Sequence, residues 1–153
     1  MAHLEDIPEP TRSAVAALDC PRFDTSPWVR PAPLGQARIA LLTSAALHPR
    51  DAPPFPAGSA EVRMLPAAID PAALVMSHLS VNFDRTGFQR DINVVFPLDR
   101  LRRLAEQGTI RAAAPTHFSV MGSTDPPAME GTADQVAGQA RQDRTDAVLL
   151  VPV

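Results

Sequence analysis

The densest run of chemically capable side chains lies between positions 78 and 93. His78, Asn82, Asp84, Asp91 and Asn93 fall in HLSVNFDRTGFQRDIN, which has neither helical nor strand periodicity. Polar residues this dense between apolar blocks mark a loop with a task. A histidine and two aspartates there can bind a small polar ligand and move a proton. His117 is a second candidate acid or base, in APTHFSVMG, read as the loop after a strand. Gly122 in the same loop would let backbone approach a ligand closely. Each residue has a blander alternative. Aspartate and asparagine cap turns, His78 suits a helix end, and a lone loop histidine usually packs. By ligand type His78, Asp84, Asp91 and His117 could share a metal. Their spacing matches no metal motif, so none is expected.

Composition removes other chemistries. All 14 cationic residues are arginine, which excludes lysine Schiff bases and a P-loop lysine. Tyrosine is absent, and the one cysteine, Cys20, allows neither a disulfide framework nor a multi-cysteine zinc site. Cys20 reads as a bystander thiol. The net charge is −3 without a basic cluster, which disfavours nucleic acid as a partner. No apolar run reaches the roughly 18–20 residues of a membrane span, and no secretory signal opens the chain. A cytoplasmic protein is expected.

The elements that must position these residues follow from pattern. Residues 1–36 are a proline-rich irregular leader, with a short helix at Thr11–Leu18 and with Phe23 and Trp28 expected to pin it to the body. Residues 37–153 form one domain. Ile39–Thr43 and Glu61–Leu65 read as strands, separated by the proline-rich loop 49–60. Asp70-Pro71 signals a helix to about Met76. Pro97 opens another, ended by Gly108, with Leu98, Leu101 and Leu104 as its core face. Thr109–Ala114 reads as a strand, 115–127 as a loop, and Ala133–Gln142 as a helix capped by Thr132. Ala147–Val151 is continuously apolar, the pattern of a strand covered on both faces. Alternating strands and helices predict an α/β fold with a mainly parallel sheet. In such sheets ligands sit beyond the carboxyl ends of the strands. A chain stopping just after an apolar strand is therefore expected to leave its sheet incomplete at the C-terminus.

The string MSHLSVNFDRTGFQRDINVVFPLDRLRRLAEQGTIRAAAPTHFSVMG, residues 76–122, resembles the glycine/sarcosine/betaine/D-proline reductase selenoprotein B family. DINVVFPLDRL is its most specific part. IALLTSAALH and TDAVLLVPV resemble the family's first strand and the strand before its redox residue, so the likeness spans about 37–153. The resemblance implies an oxidoreductase component that reductively cleaves a C–N bond in a small amino acid or related compound. It implies a selenocysteine or cysteine nucleophile just after Val153, and a chain truncated at a selenocysteine codon. It implies no cofactor on this chain, partner reductase subunits (one able to carry a pyruvoyl group), and thiols as electron source. On that reading His78, Asp84, Asp91 and His117 are catalytic candidates. Asn82, Asn93 and Gly122 are substrate-binding candidates, and the chain alone is inactive. A homo-oligomer fits as well. Two further readings stay open: a non-catalytic small-molecule-binding module or complex subunit, and an acid–base enzyme using His78 and His117.

Overall fold

Ile39 to Leu42 are apolar at successive positions, which suits a strand covered on both faces. In the computed structural model, which describes residues 3–17, 22, 24–79 and 85–153, this segment is the centre of the sheet. The elements run α1 (Thr11–Ala16), β1 (Arg38–Thr43), β2 (Leu47–Pro49), β3 (Val62–Pro66), β4 (Leu74–Met76), α2 (Thr86–Arg90), α3 (Leu98–Glu106), β5 (Ala112–Ala113), β6 (Thr116–Val120), α4 (Glu130–Gln142) and β7 (Ala147–Val151). β5 and β6 both pair parallel with β1, β5 beside Arg38 and Ile39 and β6 beside Leu42 and Thr43. β7 pairs parallel with β1, Ile39–Thr43 opposite Ala147–Val151. β3 lies antiparallel on β6, and β2 and β4 form a separate antiparallel ribbon. The fold is α/β with a mainly parallel sheet, as the alternation of elements predicts.

Alternation along β1 divides the core. Leu41 packs in a cluster with Leu98 and Leu101 of α3, Phe96 and Ile110, with Ile39 against it. Ala40 packs on the other face with Ala114 and Phe118, against which Leu42 and Val136 of α4 rest. Helices thus cover the two faces. Asp146 fixes the start of β7 to β1, its Oδ2 accepting from the Arg38 N–H at 2.7 Å and from Arg111 at 3.1 Å.

Several expectations change. The helix read from Asp70 is one 3-10 turn, Pro71–Ala73, capped by Asp70 Oδ1 on the Ala72 N–H at 2.9 Å. Leu74–Met76 then joins β2 as a strand, because pairing with Leu47–Pro49 buries Leu74. The strand read as Thr109–Ala114 is only Ala112–Ala113, and a second strand, β6, follows Pro115, so residues 116–120 are strand rather than loop. Leu104 is partly exposed, while Leu98 and Leu101 are buried. Thr132 lies inside α4, where its hydroxyl donates to the Ala60 carbonyl. Trp28 does not pin the leader, being 86% exposed; Phe23 lies outside the described residues. β7 is an edge of the sheet, not a covered strand, and Val148, Leu149 and Leu150 are exposed. Apolar composition alone does not separate a central strand from an uncovered edge.

Leu41 and Leu150 therefore separate in stability. In these 153 residues Leu41→Ala costs about 2–5 kcal/mol by denaturant unfolding, as a buried truncation does. Leu150→Thr stays within about 0.5 kcal/mol. Equal losses would show that β7 is covered.

Candidate functional site

The carboxyl ends of β1, β6 and β7 meet at Ser44. The Ser44 N–H donates to the Val151 carbonyl at 3.2 Å, and its carbonyl accepts from the Gly122 N–H at 2.9 Å. Its hydroxyl accepts from the Val153 N–H at 2.8 Å. This is the rim where parallel sheets place ligands. A Cβ at Gly122 would lie 2.8 Å from the Ser44 carbonyl oxygen and 3.0 Å from His78 Nε2. His78 and Gly122, far apart in sequence, are thus brought together against Ser44. His78 is nearly buried, and burial, followed by the nearby Arg85 guanidinium, lowers its pKa below 6.5. Ala46, fully buried beside this rim, has a positive φ of 52°. Such a conformation costs a non-glycine residue about 1 kcal/mol or more and persists only where its surroundings fix it. Here the Val120 and Ser77 backbones bond it from both sides.

A second histidine, which spacing did not mark, stands next to this rim. His48 Nδ1 is 2.8 Å from the Pro49 carbonyl and Nε2 is 2.7 Å from Ser77 Oγ. A carbonyl only accepts, so Nδ1 carries the proton and the Ser77 hydroxyl donates to Nε2. The Ser77 N–H also donates to the Ala46 carbonyl at 3.0 Å. Ser77 is thereby held at both ends just before His78. Ser44 was legible only as the residue following a predicted strand.

Asp91 and Asn93 occupy a different place. They line an open cleft of about 890 Å³ with β4, α2 and Arg50. Asp91 Oδ1 accepts from the Asn93 backbone N–H at 2.9 Å and from its side-chain amide at 2.8 Å. Those two bonds, the amide first, lower the Asp91 pKa, and Arg100 adds to them. Asp91 is therefore a carboxylate acceptor, capping the turn Ile92–Val94. Asn93 Oδ1 is buried without a hydrogen-bond partner. Arg85 connects the two places: it lines the cleft and donates to the His78 carbonyl at 2.6 Å. Asn82 and Asp84 lie outside the described residues. Among the described residues no three histidine, cysteine, aspartate or glutamate side chains gather as a metal site requires.

His117 is not in a loop but within β6, fully buried. Its Nδ1 accepts from the Leu41 N–H at 3.0 Å, which assigns the proton to Nε2. Nε2 is buried without a hydrogen-bond partner, and the ring stands edge-to-face with Phe96 at 5.8 Å. Burial pushes its pKa down to about 4. The imidazole is a backbone acceptor inside the sheet, away from the rim.

The chain is thus an α/β protein whose mainly parallel sheet carries a histidine and a close-packed glycine at its carboxyl rim, beside a polar cleft. The chain belongs to the glycine/sarcosine/betaine reductase selenoprotein B family, whose model matches residues 13–153. That match reaches into the segment read as a leader. The chain is 33% identical over 115 residues to D-proline reductase subunit gamma of Acetoanaerobium sticklandii. The match covers 73% of this chain and 47% of that protein, so the chain spans about half the length of this curated relative. No solved structure matches the chain. Among the described residues no helix is long and apolar enough to cross a membrane.

Two outcomes follow from this geometry. The folded pKa of His117 lies below the unfolded value of 6.5, so the unfolded chain takes up a proton first. Its contribution is complete above pH 6.5, falls between 6.5 and 4, and totals roughly 3 kcal/mol. His117→Gln flattens that part of the stability–pH curve measured by denaturant unfolding; an unchanged slope refutes the assignment. Gly122→Ala places a methyl against the Ser44 backbone, which must shift. It lowers stability by about 1–3 kcal/mol, and calorimetric melting reads the loss.

Proposed function

We propose that this chain is the substrate-binding component of a selenol- or thiol-dependent reductase that cleaves a C–N bond in a small amino acid or related compound. The observation that carries this reading is the meeting of the β1, β6 and β7 carboxyl ends at Ser44 and Gly122, with His78 Nε2 against the same point. Val153, hydrogen-bonded to Ser44, leads away from there. A selenol or thiol following Val153 would supply the nucleophile. The residues present suit such a group: a nearly buried histidine whose Nε2 lies where Gly122 packs closely on Ser44. Burial and Arg85 keep His78 uncharged near neutral pH, so it can accept a proton from an acidic selenol or thiol and release it at nitrogen. Reductive C–N cleavage takes up two electrons and two protons, and a dithiol passing to a disulfide provides both electrons. Asn93 in the adjoining cleft and Asn82 are assigned to substrate binding and Asp84 to catalysis, while His117 supports the sheet. The chain works with partner subunits, one able to carry a pyruvoyl group, in the cytoplasm.

One observation favours a second reading. No cysteine follows Cys20 in these 153 residues, and Cys20 itself lies outside the described residues. That suits a small-molecule-binding subunit whose redox group is elsewhere.

The test is amine release by the full-length protein with its partner subunits and a dithiol. His78→Gln lowers kcat by roughly 10²-fold or more and removes the acidic limb of the pH profile. Unchanged kcat and an unchanged limb sink the role of His78. Substrate binding with no amine release from the unsubstituted complex favours the binding module.

A further inference from the structure

We propose that Arg50 and Arg90 anchor the carboxylate of a small ligand in the cleft between β4 and α2, and so select what binds there. The biological setting rests on the reductase reading, but the binding step is separable from turnover. The cleft carries three guanidinium groups, Arg50, Arg85 and Arg90, and three carboxylates. The carboxylates are engaged. Asp70 caps the turn at Ala72, Asp91 holds Asn93 and Arg100, and Asp99 pairs with Arg102 at 3.0 Å. Arg85 is engaged with the His78 carbonyl. Among the described residues Arg50 and Arg90 make no side-chain hydrogen bond or ion pair. Arg100 and Arg102 neutralise Asp91 and Asp99 from outside the lining, which leaves Arg50 and Arg90 as the cleft's unpaired charges among the described residues. Two uncommitted cations on one concave surface draw a counter-anion.

The form of the cleft says which anion. The guanidinium fork fits a carboxylate in two parallel bonds. Met76, Phe88 and Ile92 give the cleft apolar surface backed by the core, which suits a short carbon body. A phosphate site usually adds backbone N–H groups from a helix start or a glycine-rich loop. Two α-helices reach the cleft: α2, five residues long with no side-chain bond at its N-cap Arg85, and α3, whose first turn places the Asp99 carboxylate there. The geometry therefore favours a carboxylate with an apolar body over inorganic phosphate.

Calorimetric titration of the full-length protein tests this with proline, glycine, betaine and butyrate, each against its carboxamide or neutral analogue, and with inorganic phosphate. At least one carboxylate binds roughly tenfold or more tightly than its neutral analogue. Arg50→Gln and Arg90→Gln each remove that preference, while Arg103→Gln on the polar face of α3 leaves it intact. Both cleft arginines are exposed, so the variants keep the wild-type melting temperature. Binding that ignores the carboxylate, no binding by any of the four, phosphate binding as tight as the best carboxylate, or full affinity in both variants overturns the proposal. Tight carboxylate binding without amine release would instead sink the reductase reading and leave the anchor standing.

Discussion

The structure depends on one backbone edge, the side of β1 that faces β5 and β6. Pro115 stands between those strands and has no N–H to give a ladder. The Ala114 N–H still reaches the Ile39 carbonyl at 2.8 Å, but the next donor on β1, the Leu41 N–H, meets an imidazole instead of a carbonyl. Leu41 is fully buried, so an unmet N–H there would cost about 1–3 kcal/mol. His117 Nδ1 removes that cost only while it is unprotonated. A histidine that closes a gap in a sheet is thus committed to one tautomer and one charge.

The rim inherits its order from this edge. Across the proline the register on β1 slips by two residues, from Ile39 opposite Ala113 to Leu42 opposite Phe118, and Val120 and Met121 then arrive opposite Ala46 and Ala45. That fixes the positive φ of Ala46 and brings Gly122 onto Ser44. The β2–β4 ribbon carries the other half. His48 and the Ala46 carbonyl both hold Ser77, so the following residue, His78, reaches the rim from a fixed backbone. The sheet carries Ser44 and Gly122, and the ribbon delivers the histidine.

The parts legible in sequence were those set by local rules. β1, α3 and α4 are visible as an apolar run, a proline start and a helical stripe. The polar run after Met76 drew notice to His78, Asp91 and Asn93. What stayed hidden depended on partners distant in sequence. Leu74–Met76 is a strand only because Leu47–Pro49 pairs with it. His117 looked like a loop residue because Pro115 reads as a strand end, whereas β1 supports strand on both sides of that proline. His48 carries no local sign at all, its role arising from Ser77, twenty-nine residues on. The polar run also read as one site. The structure divides it between rim and cleft, with Arg85 as the link.

The open edge of β7 has a consequence for handling the protein. Its three central residues are exposed and apolar, and none of Ala147–Val151 carries a charge. Native sheets usually blunt such edges with lysine, bulges or inward charges. Here Pro152 stands just past the strand and Asp146 is turned inward to Arg38 and Arg111, so neither guards the middle. The bare edge is a template for strand addition between molecules, and self-association of these 153 residues would rise with concentration and with ionic strength.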